Sequence, residues 1–231
     1  TNDLYISYDV GCQNPAGSYV VVRSIVDGVL MDPDTISENM PGSRKPQLVC
    51  DIENRIWCFW YNDIDNGSIF YRILEEGTWS ETFSLIPGNH FLFPCRFVCD
   101  KDGVLHCLAA YHDENQNVLH NRYVYFQIDD NSISPMEEVS PFIDGDGRDL
   151  VVDSINRPHI TYRQKMMNSP TPMNDSTIYR FKHNDLWSDP ELVVYDPRNQ
   201  HIILGYKDSP NSFDIEKHDD GCYIVHHQKI N

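Results

Sequence analysis

Short apolar runs alternate with polar stretches along the whole chain. The runs Leu4 to Tyr8, Trp57 to Tyr61, Leu108 to Tyr111, His159 to Tyr162 and Ile202 to Tyr206 each end in a tyrosine. They are rich in the β-branched and aromatic residues that suit a pleated, half-buried surface. The closing tyrosines Tyr8, Tyr61, Tyr111, Tyr162 and Tyr206 recur at intervals of 44 to 53 residues. A period of that size marks a repeat architecture. A second apolar run follows each tyrosine and carries a basic residue: Arg23, Arg72, Arg122, Arg180 and Lys217. Next come the pairs Asp27-Gly28, Glu76-Gly77, Asp130-Asn131, Asn184-Asp185 and Asp220-Gly221, which supply the positive φ of tight hairpins. A bulky residue (Leu30, Trp79, Ile133, Trp187 or Tyr223) then opens a third strand.

A further strand precedes most tyrosine runs and ends on an aspartate, at Asp51, Asp100, Asp153 and Asp196. No stretch holds a helical period, so the pattern predicts an all-β chain. Five copies of the unit predict a five-bladed β-propeller, with blades of three to four antiparallel strands. The expected blades are residues 1–42, 43–92, 93–145, 146–192 and 193–231 of a single domain. Pairing of the termini is expected to close the ring, because an open edge invites aggregation.

The formal net charge of −17 argues against nucleic acid and against anionic membranes as partners. No apolar run is long enough for a transmembrane helix. The seven cysteines include no Cys-x-x-Cys pair, and Cys50 and Cys99 fall at equivalent strand positions, as small buried apolar residues would. Asp144-Gly145-Asp146-Gly147 lacks the spaced ligands of a calcium loop, and His226-His227 point to opposite faces of a strand. No metal or cofactor is expected.

Candidate ligand contacts fall into three groups. The residue after each repeated tyrosine varies and includes Asn62, His112, Arg163 and Lys207, the pattern of a rigid scaffold presenting a changeable site. Trp57 and Trp60 are expected as exposed rings able to stack on a sugar. Arg72, Arg122 and Arg180 either grip an anionic group or pair with the repeated aspartates between blades.

Phe70 to Ser80, reading FYRILEEGTWS, resembles the sialidase-type (BNR, Asp-box) repeat. Val151 to Tyr162 looks like the strand pair that precedes it in such propellers. The resemblance implies a propeller of the superfamily that holds sialidases, other glycan-processing enzymes and non-catalytic lectins. Arg72, Arg122 and Arg180 match the sialidase arginine triad by residue type. No motif supplies the tyrosine nucleophile or the acid. A carbohydrate-binding propeller is therefore the first expectation. A glycoside hydrolase or lyase acting on an acidic glycan and a protein-interaction platform, alone or within a larger assembly, are the alternatives.

Overall fold

The computed structural model describes residues 3–11, 17–64, 67–85, 91–112, 121–129, 132–143, 148–165, 175–196, 203–204, 212–218 and 221–226. Among these, twenty-two strands lie in five sheets. The first holds β1 (Leu4–Val10), β2 (Tyr19–Val26), β3 (Val29–Leu30) and β4 (Asp34–Thr35). The second holds β5 (Ser43–Cys50), β6 (Ile56–Asn62), β7 (Ser68–Glu75), β8 (Thr78–Trp79) and β9 (Phe83–Ser84). The third holds β10 (Phe91–Cys99), β11 (Leu105–His112), β12 (Asn121–Asp129), β13 (Ser132–Ile133) and β14 (Glu137–Ile143). The fourth holds β15 (Arg148–Val152), β16 (Pro158–Lys165), β17 (Asp175–His183), β18 (Leu186–Trp187) and β19 (Glu191–Asp196). The fifth holds β20 (Ile203–Leu204), β21 (Ser212–His218) and β22 (Gly221–His226), with β20 parallel to β21.

The second, third and fourth sheets share one plan. Three antiparallel strands run in sequence order, and the third pairs on its far side with two further strands, the first of them only two residues long. The predicted tight turns lead into the first of these. Asp27-Gly28 and Glu76-Gly77 have φ of 50/78° and 48/78°, and Asn184-Asp185 has 50/62°. Asp130-Asn131 and Asp220 lie outside the described residues.

The chain divides into two compact units, Thr1–Pro94 and Cys95–Asn231. In the first, Val20, Val22 and Ile36 of the first sheet and its crossover pack against Cys58, Trp60 and Phe70 of the second. In the second unit, Tyr123 meets Tyr162 with ring centroids 5.5 Å apart, and Tyr125 meets Trp187 edge-on at 5.2 Å.

A two-point clamp recurs in both units. Arg72 donates through Nε to its own hairpin at Ser80 O (2.5 Å) and through Nη1 to Ile36 O beyond the preceding sheet's last strand (3.1 Å). Trp79 Nε1 donates to Asp34 on that same strand, at 3.2 Å. Arg180 repeats this with Ser188 O (2.7 Å) and Val139 O (2.6 Å), and Trp187 Nε1 reaches Glu137 at 3.0 Å. The expected pairing of these arginines with the repeated aspartates is therefore corrected: they hold backbone carbonyls. A carbonyl needs no matching side chain and sits at a fixed height in its strand, which makes it a dependable acceptor between sheets.

Register corrects the repeat itself. Leu74 pairs with Trp79, Ile128 with Ile133 and Lys182 with Trp187, so these anchor equivalent positions. Counting from them, Arg72 and Arg180 match Phe126. Arg122 lies four residues, two periods of the pleat, nearer the strand start, opposite Tyr111. Tyr162, opposite Ile178, matches Trp60, opposite Phe70, so Tyr61 and Tyr111 fall one and two places later. Strand tyrosines recur because either face accepts an aromatic ring, and a one-residue slip exchanges the faces. Asp196 is also reassigned: it ends the outer strand β19, opposite Asp175, whereas Asp51 follows the first strand of its sheet.

Candidate functional site

Two arrangements concentrate polar chemistry among the described residues. The first is built on Asp51, Asp100 and Asp153, each starting the hairpin between the first two strands of its sheet. One carboxylate oxygen closes the turn: Asp51 Oδ1 accepts from Glu53 N and Arg55 N, both at 2.9 Å. Asp100 does so with Asp102 N and Val104 N, and Asp153 with Ile155 N and Arg157 N. The left-handed residue each turn needs is Asn54, Gly103 or Asn156, at φ 62°, 93° and 64°; asparagine and glycine tolerate that region best.

The other oxygen reaches the residue six places on. Asp51 Oδ2 accepts from Trp57 Nε1 at 2.8 Å. Asp100 Oδ2 lies 3.1 Å from His106 Nε2, whose Nδ1 lies 2.6 Å from Tyr125 Oη. Asp153, His159 and Tyr179 repeat this at 3.2 and 2.6 Å. With Nε2–H donating to the carboxylate, the tyrosine hydroxyl donates to Nδ1. Burial lowers the pKa of His106 and His159, only partly opposed by their aspartates. Burial also pushes Tyr125 up, so it keeps its proton. Burial alone would raise Asp153, but the Arg157, His159 and Ile155 donors hold it at about 2. Asp–His–Tyr has the parts of a proton relay. His106 is fully buried and His159 is 7% exposed, and the same aspartate carries Trp57 in the second sheet. The aspartates, both histidines and Tyr125 are buried and Tyr179 is half-buried, so these groups fasten each sheet largely from inside.

The second arrangement is open to solvent. A cleft of about 500 Å³ lies in the first unit, where the connection entering β2 meets the crossover from β4 to β5. Tyr19, Thr35, Glu38, Asn39 and Met40 line it, together with Gly17, Ser18, Ser37 and Pro41. The Tyr19 side of the cleft is 38% exposed, whereas Ser18 and Ser37 are buried. The crossover is held at every step. Ile36 N donates to Val20 O (2.9 Å), Val20 N to Ser37 Oγ (2.8 Å), Gly42 N to Ser18 O (3.0 Å) and Ser43 Oγ to Met40 O (2.8 Å). Gly42 has φ 85°, and a Cβ there would meet the Ile64 side chain at 2.7 Å.

The residues chosen from sequence take various places. Asn62 is 3% exposed and braces the cleft from behind, donating to Pro41 O (3.0 Å) and Ser43 Oγ (3.2 Å). Trp57 and Trp60 were expected as exposed rings and are instead 5% and 1% exposed. Trp57 stacks on Tyr71 and Phe59, and Trp60 on Phe70, because both sheet faces are covered there. Arg72 and Arg180 form the clamps. Arg122 pairs with Glu138 at 2.7 Å. The side chains of His112 and Arg163, and all of Lys207, lie outside the described residues. Sequence reasoning missed the crossover residues 35–42, which no motif marks, and His106 and His159, whose spacing from the turn aspartate was the available signal. No group of three or more metal-ligating side chains occurs among the described residues.

No protein-family model and no curated protein matches the chain. Solved structures do. An ulvan lyase of a new polysaccharide lyase family, bound to a GlcA(1-4)Rha3S saccharide, aligns with TM-score 0.58 and 10% identity over 85% of this chain and 56% of that one. A Hadza microbial sialidase aligns with TM-score 0.55 and 14% identity over 80% and 43%. A Dyadobacter fermentans protein of unknown function aligns with TM-score 0.60 and 11% identity over 97% and 76%. The chain thus spans about half the length of the first two. At such identity the likeness is one of fold: an all-β chain of several antiparallel sheets, shared with sialidases and polysaccharide lyases.

Proposed function

We propose that the chain is a five-bladed propeller, its blades at 1–42, 43–92, 93–145, 146–192 and 193–231 and its ring closed by the termini, that binds a glycan at the strand-end rim. The observation that carries this is the Tyr19 cleft. It combines an open aromatic ring with exposed hydroxyl, amide and carboxylate groups on a braced backbone, the composition that holds a sugar by stacking and hydrogen bonding. Solved structures of the same fold that act on glycans support the ligand class. Asn62 serves the site by holding the Pro41 wall. The arginine grip on an acidic glycan loses its support, since Arg72 and Arg180 already donate to carbonyls.

The test is a glycan array probed with folded protein, with hits titrated by calorimetry and their products checked by mass spectrometry. Saturable binding weakened by Tyr19→Ala is expected. Absence of binding to any sugar would overturn the reading. Cleavage of a bound sugar would turn it into the enzyme alternative, and a protein partner insensitive to sugar competition would favour an interaction platform.

A further inference from the structure

We infer, building on the glycan reading, that the Tyr19 cleft takes an uncharged sugar and rejects residues bearing carboxylate or sulfate. Among the described residues, the only charged one lining the cleft is Glu38, which is exposed, and no lysine or arginine lines it. A uronate or sulfate would therefore enter beside a like charge without a cation, inside a chain of net charge −17. Arg44 pairs with Asp63, and Arg23 donates Nε to Met31 O at 3.0 Å, at the far end of β2 from Tyr19.

What the cleft does offer suits a neutral pyranose. Tyr19 supplies a ring face, Thr35 a hydroxyl and Asn39 an amide, and Glu38 accepts from sugar hydroxyls. Asn39 adopts the left-handed backbone region at φ 59°, which asparagine tolerates better than most residues. Ser18 and Ser37 also line the cleft but are buried, so Tyr19, Thr35, Glu38 and Asn39 are its exposed polar groups.

The experiment compares matched oligosaccharides of one backbone in neutral, uronate and sulfated forms, by array and then calorimetry. The neutral form should bind at least tenfold tighter than either anionic form, and raised salt should leave its affinity unchanged. Tyr19→Ala should weaken it tenfold or more, whereas Tyr19→Phe, which keeps the ring, should bind within threefold of wild type. Glu38→Gln should narrow the gap between neutral and uronate forms, and Glu38→Lys should reverse it. Binding confined to anionic sugars, or equal affinity for both forms, overturns this inference while the glycan reading stands. Failure to bind any sugar overturns both. Unchanged melting temperatures for the variants show that each result concerns the cleft.

Discussion

The hairpins of the second and fourth sheets are built on the same aspartate and differ in what it holds. Asp51 grips an indole, which only donates and never titrates in this range; Asp153 grips an imidazole, which does both. In each case an arginine four residues on adds a short ion pair, Arg55 at 2.7 Å and Arg157 at 2.6 Å. Trp57 needs no further partner for its ring nitrogen, while His159 leaves a second nitrogen that Tyr179 must satisfy. The same joint can therefore be indifferent or sensitive to protons, and the choice rests on one residue.

Removing the shared part should cost most. Asp51→Ala and Asp153→Ala each strip a buried carboxylate from two backbone amides, an arginine and a ring nitrogen. A loss of about 3–5 kcal/mol is expected for each, read as a denaturant midpoint. If one hairpin tolerated the change, the joints would not be equivalent.

The next effect separates them. His106 and His159 titrate below their unfolded value of 6.5. Below that value the unfolded chain binds more protons than the folded one. Their stabilisation is therefore complete above about pH 6.5 and declines as pH falls toward the folded pKa, by about 1.4 kcal/mol per unit of depression. Asp100 and Lys182 act on His106, and Asp153 and Arg157 on His159, in opposite senses. Asp153 itself gives way only as pH falls from 3.8 toward about 2. Stability measured between about pH 7 and pH 5 should decline. The double variant His106→Trp with His159→Trp should flatten that decline if it folds, and Trp57→His should steepen it.

Tyr125→Phe should cost about 1–2 kcal/mol, by leaving His106 Nδ1 buried without a donor. The smallest effect is expected at Arg122→Ala, whose pair with Glu138 is partly exposed; within about 0.5 kcal/mol is the expectation from thermal melts.

Much of the framework was legible in the chain. The hairpin pairs at Asp27, Glu76 and Asn184 carry their own conformational signature, and the strands between them are marked by composition. Faces were harder to read. Trp57 and Trp60 are three residues apart in one strand, so they point to opposite sides, and whether either side meets solvent depends on what lies across it. Arg122 looked like Arg72 because both follow a tyrosine at equal distance, yet hydrogen-bond register places Phe126 there. The cleft was hidden because its wall, residues 35–42, is shaped by local turns that no sequence motif marks.

The clamps carry a consequence for how such a chain can vary. One side of each joint is specified by residue type, at Arg72 and Arg180. The carbonyl received from the other sheet belongs to Ile36 in one case and Val139 in the other. Every amino acid has that oxygen. The receiving positions are thus free to drift as long as the strand keeps its course, so neighbouring repeats can lose all resemblance on one side of a seam while the seam stays shut.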